Sequence, residues 1–510
     1  MQMAKSMQTT LGILGIIANI AVYSYILGAM ISLPTVVYYI RIGATSYAIY
    51  MILLGMLVAS IIACILGARN KVFKLLKFFL AEIVLLLSLI FLNGQIRFGL
   101  ALPIDSLAPI AQTNVSETLE FISANKDTVI LGIAGFSVIS FLIWWLIAKE
   151  VKGLKLAKGL VIAFLVTFII SSVLIARNPA VLDDFLMCND VSVVLENSVD
   201  LRQYPTNPQI IETTKDHPQS IVLVIGESFT KYHSSLYGYE KKTNPCLQRY
   251  VDEGSVVVFD SVESPCVSTT PTFKYLLNTY TRKSKGKWYE STTIQEYFHK
   301  AGYHLTWISN QQQYGAFNNI SSGQSLLCDE RFFHGGEGQS MDMSVVDSYK
   351  LLEKVYSHNL FFFHLYGQHP EFDKRYPATF SRFKPDDYDV PRNQKNILAA
   401  YDNATLYNDS VVAAIISCFK DEDALVIYLA DHGLDLFYTD SDYAAHGKPT
   451  NPKSDKLARQ IPFMIYVSES FRQNHSELAS RIIAAKAIPF CTELLIYKLL
   501  NFTGYKIDIT

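Results

Sequence analysis

At 510 residues the chain is longer than one hydrophobic core ordinarily organises, so at least two domains are expected. The 44 lysines and arginines are balanced by 46 aspartates and glutamates, a net charge of −2, and no basic stripe interleaved with aromatics runs through the second half, which excludes nucleic-acid binding. Hydrophobic residues make up 50% of the chain and crowd into its first 177 positions, so a membrane half is expected to precede a water-facing half.

No charge interrupts the intervals from Lys5 to Arg41, Arg41 to Arg69 or Asp127 to Lys149, and each holds an apolar run long enough to cross a bilayer. Residues 73–96 carry only Lys74, Lys77 and Glu82, and 159–176 are uncharged up to Arg177. Five helices are therefore expected, near 11–32, 46–67, 73–95, 128–148 and 157–176. The first is longer than the apolar core of a signal peptide and leads to no small-residue cleavage site, so it reads as an uncleaved anchor. Loop charge sets the orientation, because Lys and Arg resist translocation. Lys5, Arg69, Lys71, Lys74, Lys77, Lys149, Lys152, Lys155 and Lys158 fall on one side, against Arg41, Arg97, Lys126 and Arg177 on the other. The N-terminus is then cytoplasmic. With an odd number of spans, everything after Arg177 lies in the periplasm of a double-membraned bacterium, where catalysis proceeds without ATP. Glu82 is an ionisable group inside a span, within reach of Lys77, and reads first as a packed or snorkelling side chain.

Residues 178–219 are polar and punctuated by Pro179, Pro205, Pro208 and Pro218, as a connecting segment would be. Beyond them, apolar runs at 221–226, 304–309, 359–366, 424–430 and 462–467 alternate with helix-like stretches near 291–301, 396–419 and 479–499. Unalternating runs separated by helices indicate a mostly parallel sheet covered on both faces, with its site at the carboxyl ends of the strands. Metal-capable residues fall at those ends: Glu227 follows the first run, His364 and His369 close the third, and Asp431 with His432 closes the fourth. Carboxylates and imidazoles without thiolates suit a catalytic zinc that keeps an open position.

Each residue alone has a plainer explanation. Asp431-His432-Gly433 could be a hydrogen-bonded turn, and Glu227 a carboxylate at a helix N-terminus. His233 reads as structural. His364, His369 and His446 sit in short segments beside glycines and prolines, and contact with phosphate suits at least two of them better than direct metal binding. The hydroxyl-rich stretch from Ser264 to Thr272 precedes a helix-like run, so Thr270 or Thr272 could cap that helix, or a hydroxyl there could be a nucleophile activated by the metal.

Taken together, Gly226-Glu-Ser, Tyr237-Gly-Tyr, Thr243-Asn-Pro, Ser268-Thr269, His364-Leu-Tyr-Gly-Gln-His369-Pro, Lys374-Arg-Tyr-Pro, Tyr401-Asp-Asn, Ala430-Asp-His-Gly433, His446-Gly and Ile461-Pro, behind five spans, resemble the bacterial phosphoethanolamine transferases of the alkaline phosphatase superfamily. The resemblance implies a five-span membrane domain over 1–177, a linker over 178–219 and a sulfatase-like α/β catalytic domain over 220–510. It implies zinc held by Glu227, Thr269, Asp431 and His432, with Thr269 as nucleophile and Thr270 the alternative one residue on. His364, His369 and His446 would then contact substrate or a second metal ion. Asn310, heading the stretch that stands where some members carry a phosphate-contacting lysine, would contact substrate too. The implied donor is phosphatidylethanolamine, and the implied acceptor lipid A, lipopolysaccharide core or another envelope glycan. The enzyme would work as a monomer in the inner membrane among its lipids.

Leu434-Asp435 departs from the Glu-Ser common after Asp-His-Gly, which touches acceptor recognition rather than the metal. Cys64 lies in a span, and Cys188, Cys246, Cys266, Cys328, Cys418 and Cys491 allow up to three disulfides in an oxidising compartment. A sulfate-ester hydrolase would need an arginine after its formylglycine precursor, and Cys266-Val-Ser-Thr-Thr has none. The alternative enzyme is a phosphoglycerol transferase of the lipoteichoic-acid-synthase type, and the alternative outside enzymes is a membrane-tethered sensor with a relict site.

Overall fold

The computed structural model describes residues 2–41, 45–65, 71–98, 126–148, 154–177, 199–311, 320–334, 340–353, 355–439 and 451–507. The described residues up to Arg177 belong to one compact unit and those from 199 onward to another.

The first unit contains helices α1 (Gln2–Arg41), α2 (Thr45–Ile65), α3 (Lys71–Phe98), α4 (Lys126–Ala148) and α5 (Leu154–Arg177), one for each expected span. Among the described residues, Ile16–Leu33 is the one segment long and apolar enough to cross a membrane; Met51–Ala63, Gly132–Ile143 and Lys158–Ile170 are shorter apolar stretches. Small residues bring α1 against α2: a Cβ on Gly28 would lie 2.9 Å from Met56 Cα, and one on Gly55 2.9 Å from the Gly28 carbonyl. Polar groups are satisfied between helices, Tyr23 Oη donating to the Lys77 carbonyl at 3.0 Å and Ser88 Oγ to that of Met30 at 2.6 Å. Lys77 Nζ lies over the Tyr23 ring, 5.7 Å from its centre, while Glu82 Oε1 is buried without a hydrogen bond. Large apolar side chains on α3, α4 and α5, among them Phe79, Ile83, Ile130, Phe141, Ile162 and Ile169, are exposed.

In the second unit the strands are β1 (Ile210–Glu212), β2 (Ser220–Gly226), β3 (Val256–Val258), β4 (Val262–Glu263), β5 (His304–Ser309), β6 (Glu330–Phe333), β7 (Asn359–His364), β8 (Ala424–Ala430), β9 (Phe463–Val467), β10 (Phe490–Cys491) and β11 (Tyr505–Ile507). Seven form one sheet in the order β3-β9-β8-β2-β7-β5-β6. All are parallel except β9, which runs antiparallel to both β3 and β8. The sheet is therefore mixed, and the apolar run 462–467 joins it reversed, because an uninterrupted apolar run reports burial on both faces and carries no information about direction. Two small sheets pair β1 with β11 and β4 with β10. Residues 210–212, within the stretch expected as a linker, are thus a strand paired to the C-terminal end of the chain.

The single helix expected near 479–499 is two, Ser476–Ala485 and Leu495–Phe502, because Pro489 cannot continue a helix and Phe490–Cys491 pairs with β4. The long helix expected near 396–419 is Arg392–Cys418. The central strands carry side chains such as Val222, Leu223, Phe362 and Ile427 that are fully buried, so the sheet is the core. Trp307 on β5 stacks on Phe362 of β7, with ring centres 5.1 Å apart.

Because Phe362 is fully buried in this stack, Phe362→Ala is expected to cost about 3–5 kcal/mol of stability, read as a lowered denaturant midpoint of the soluble unit.

Candidate active site

Strands β2, β7 and β8 are parallel neighbours, with Ile225 opposite His364 and Gly226 opposite Ala430. The residues that follow them emerge at one edge of the sheet, so chain segments about 200 positions apart meet there. One donor atom each from Glu227, Asp431 and His432 lies within 4.8 Å of the others, and all three residues are buried. His432 Nε2 stands 3.2 Å from Glu227 Oε1 and 3.7 Å from Asp431 Oδ2. Its Nδ1 faces the Gly433 carbonyl at 2.8 Å; a carbonyl only accepts, so the proton is on Nδ1 and Nε2 is turned toward the carboxylates.

Two carboxylates buried together repel. Burial, and then the charge of Glu227, push the Asp431 carboxyl above its ordinary range. Burial alone would lower the pKa of His432, but Asp431 and Glu227 outweigh it and raise the imidazole above its ordinary value. The cluster thus retains a proton where a cation belongs. Asp431 Oδ2 is buried without a hydrogen-bond partner. A divalent ion would satisfy that oxygen and displace the proton, and two carboxylates with an imidazole and a hydroxyl suit zinc.

The hydroxyl comes from Thr269, whose Oγ1 donates to the Glu227 carboxylate, 3.0 Å from one oxygen and 3.1 Å from the other. Thr269 is the first residue of the helix Thr269–Leu276, and Ser268 occupies the N-cap position in place of the expected Thr270 or Thr272. Thr269 is one of the two nucleophile candidates, and its hydroxyl rests on Glu227.

His364, the last residue of β7, is buried against Phe273 and Trp307, with Nδ1 3.4 Å from Ser309 Oγ. Burial lowers its pKa to about 4 against the opposing pull of Glu227, so the ring is neutral at neutral pH. His369 is half-buried with its ring edge-on to Tyr366. His446 lies outside the described residues. Asn310 is buried and donates to Asp342 Oδ1 at 2.7 Å and to the Ser340 carbonyl at 2.9 Å, while its own Oδ1 accepts from Ser340 Oγ. Contact with substrate would require Asn310 to exchange some of these bonds. His233 pairs with the buried Asp402, Nδ1 to Oδ1 2.6 Å. Among the described residues no disulfide joins Cys246, Cys266, Cys328 or Cys491, and Cys188 lies outside them.

Asp342 had no motif to mark it. Its carboxylate accepts the backbone N–H groups of Tyr366 and Gly367, each at 2.8 Å, and so shapes the loop that joins His364 to His369. That loop presses on Glu227: the Gln368 N–H donates to the Glu227 carbonyl at 3.0 Å, and a Cβ on Gly367 would stand 2.7 Å from the Glu227 nitrogen. Gly367 also has φ +52°, where a side chain is strained.

Comparison with known proteins matches the sulfatase family over residues 219–491. Phosphoethanolamine transferase EptC of Escherichia coli O18:K1:H7 is 28% identical over 272 residues, covering 51% of this chain and 47% of that protein. The chain spans about half the length of the curated relatives it matches. A crystal structure of the C-terminal periplasmic domain of EptC from Escherichia coli, in complex with Zn, is 25% identical with a TM-score of 0.54, covering 60% of this chain and 87% of that one. The integral membrane protein lipooligosaccharide phosphoethanolamine transferase A of Neisseria meningitidis shares the fold over 96% of this chain and 95% of its own, with a TM-score of 0.66 at 18% identity.

Adding zinc to chelator-treated protein is expected to raise stability by about 4 kcal/mol once free zinc is a thousandfold above Kd, read as a shift in thermal unfolding. Gly367→Ala is expected to cost about 1–3 kcal/mol and to weaken zinc binding through Glu227, measured by chelator competition.

Proposed function

This chain belongs to the sulfatase family, and from that premise we propose that it is a zinc-dependent phosphoethanolamine transferase of the bacterial inner membrane. The observation that carries the reading is the Thr269 hydroxyl resting on both Glu227 oxygens beside Asp431 and His432. Family membership does not make the substrate a sulfate ester, since Cys266-Val-Ser-Thr-Thr lacks the arginine of the formylglycine pattern. The relatives named as phosphoethanolamine transferases support the phosphoryl reading.

In this reading residues 1–177 cross the membrane five times, and the unit described from residue 199 onward, into which β1 of the expected linker is paired, works in the periplasm as a monomer. The apolar side chains exposed on α3, α4 and α5 support a lipid environment, since a water-facing surface of that kind would aggregate.

Glu227, Asp431, His432 and Thr269 would hold the zinc ion. When bound, the ion supplies Lewis acidity that makes the hydroxyl a better nucleophile and offsets charge on the phosphoryl oxygens. Thr269 Oγ attacks the phosphorus of phosphatidylethanolamine, the bond from phosphorus to the glycerol oxygen breaks, and diacylglycerol departs. The proton of the Thr269 hydroxyl, which points at Glu227 before the reaction, ends on the departing glycerol oxygen, so Glu227 stays ionised as a metal ligand. Phosphoethanolamine is left esterified to Thr269. His364, His369 and His446 contact the phosphoryl group, with Asn310 and a second metal ion as further candidates. A hydroxyl or phosphate of lipid A, lipopolysaccharide core or another envelope glycan then attacks the same phosphorus. One of the histidines serves as its base, and Thr269 is released.

Mass spectrometry of protein incubated with phosphatidylethanolamine should find the adduct on Thr269, and Thr269→Ala should lose it along with about a thousandfold or more of transfer. Undiminished transfer in Thr269→Ala would sink the assignment, and a phosphoglycerol adduct would change the donor.

A further inference from the structure

Tyr401 lies in the long helix Arg392–Cys418, fully buried, with its ring edge-on to Phe372 and to His233. A buried phenol needs hydrogen-bond partners, and an ordinary core tyrosine takes whichever carbonyl is near. Tyr303 does this, donating to the Pro218 carbonyl at 2.8 Å. The partners of Tyr401 are more particular. Its hydroxyl donates to the Ser228 carbonyl at 2.8 Å and accepts the Thr230 N–H at 2.9 Å, spanning the turn that begins immediately after Glu227.

That turn needs holding. Ser228 has φ +56°, a left-handed conformation that costs a non-glycine residue free energy and persists only where its surroundings impose it. Ser228 also touches both carboxylates of the cluster, its N–H donating to Asp431 Oδ1 at 3.1 Å and its hydroxyl to Glu227 Oε1 at 2.8 Å. Whatever fixes the Ser228 backbone therefore fixes the orientation of both acids. The adjacent Asp402 anchors the helix at this level, accepting from Tyr239 at 2.8 Å and Tyr388 at 2.5 Å and pairing with His233.

We propose that the Tyr401 hydroxyl is a positioning group for the metal centre: by clamping the Ser228–Thr230 turn it holds Glu227 and Asp431 in metal-binding orientation. The inference rests on the zinc reading above and adds a residue that touches neither metal nor substrate. Groups in the shell behind metal ligands typically govern affinity by about 10- to 100-fold. Tyr401→Phe keeps the ring and its packing and removes only the bridge.

The test uses the 510-residue chain in detergent, with zinc affinity measured by chelator competition and folding by thermal unfolding of the metal-free protein. Tyr401→Phe is expected to weaken zinc binding about 10- to 100-fold. Tyr303→Phe, which deletes another buried hydroxyl immediately before β5, is expected to bind zinc as the unaltered chain does. Unchanged affinity in Tyr401→Phe, or equal weakening in both variants, overturns the proposal. Should Tyr401→Phe not fold, Ser228→Ala removes the hydroxyl that passes the constraint to Glu227, and unchanged affinity there overturns it equally. An unaltered chain that binds no zinc defeats the zinc reading itself and this inference with it.

Discussion

Glu227 and Asp431 are buried side by side at the ends of neighbouring parallel strands, and their mutual repulsion is the constraint around which the soluble unit is arranged. Neither acid can turn to water. The cost is met locally by the raised pKa values of Asp431 and His432 and structurally by bonds to the backbone on each side. Ser228 and His432 direct their N–H groups at Asp431 Oδ1, Gln368 holds the Glu227 carbonyl, and Asp342 shapes the loop that carries Gln368. A polar cluster of this kind is stable only when every member is satisfied, and Asp431 Oδ2 is the atom left for a cation to satisfy.

The architecture separates stability from chemistry. Large apolar side chains fill both faces of the central strands, so the sheet is rigid where it must aim its ends. The nucleophile candidate arrives differently, at the first turn of the helix Thr269–Leu276. Its hydroxyl therefore meets Glu227 through tertiary packing between two elements 42 positions apart in the chain.

Motifs that look alike in the chain do different work in the fold. Tyr237 exchanges hydrogen bonds with the backbone of Phe463 on β9, and Thr243 with Asn244 ties down the turns around His233 to Ser235. These residues brace the segment that follows Glu227. In the helical unit the comparable bracing is the close approach at Gly28 and Gly55, where the backbones of α1 and α2 meet beside the side chains of Met56 and Ser32.

The placement of apolar runs along the chain indicated two domains, five helices and a sheet, because runs of membrane and strand length are properties of local sequence. The strand-end positions of Glu227, Asp431 and His432 were legible for the same reason: a parallel strand delivers whatever follows it to one edge. The short strands β3 and β6 and the reversal of β9 were not legible, since burial on both faces hides direction and three or four residues make no period. Thr269 was singled out in the chain only by family resemblance; its hydroxyl bond to Glu227 belongs to the packing. Asp342, Gly367 and Tyr401 act through hydrogen bonds and close approach across the chain, so only the tertiary structure could give them a role.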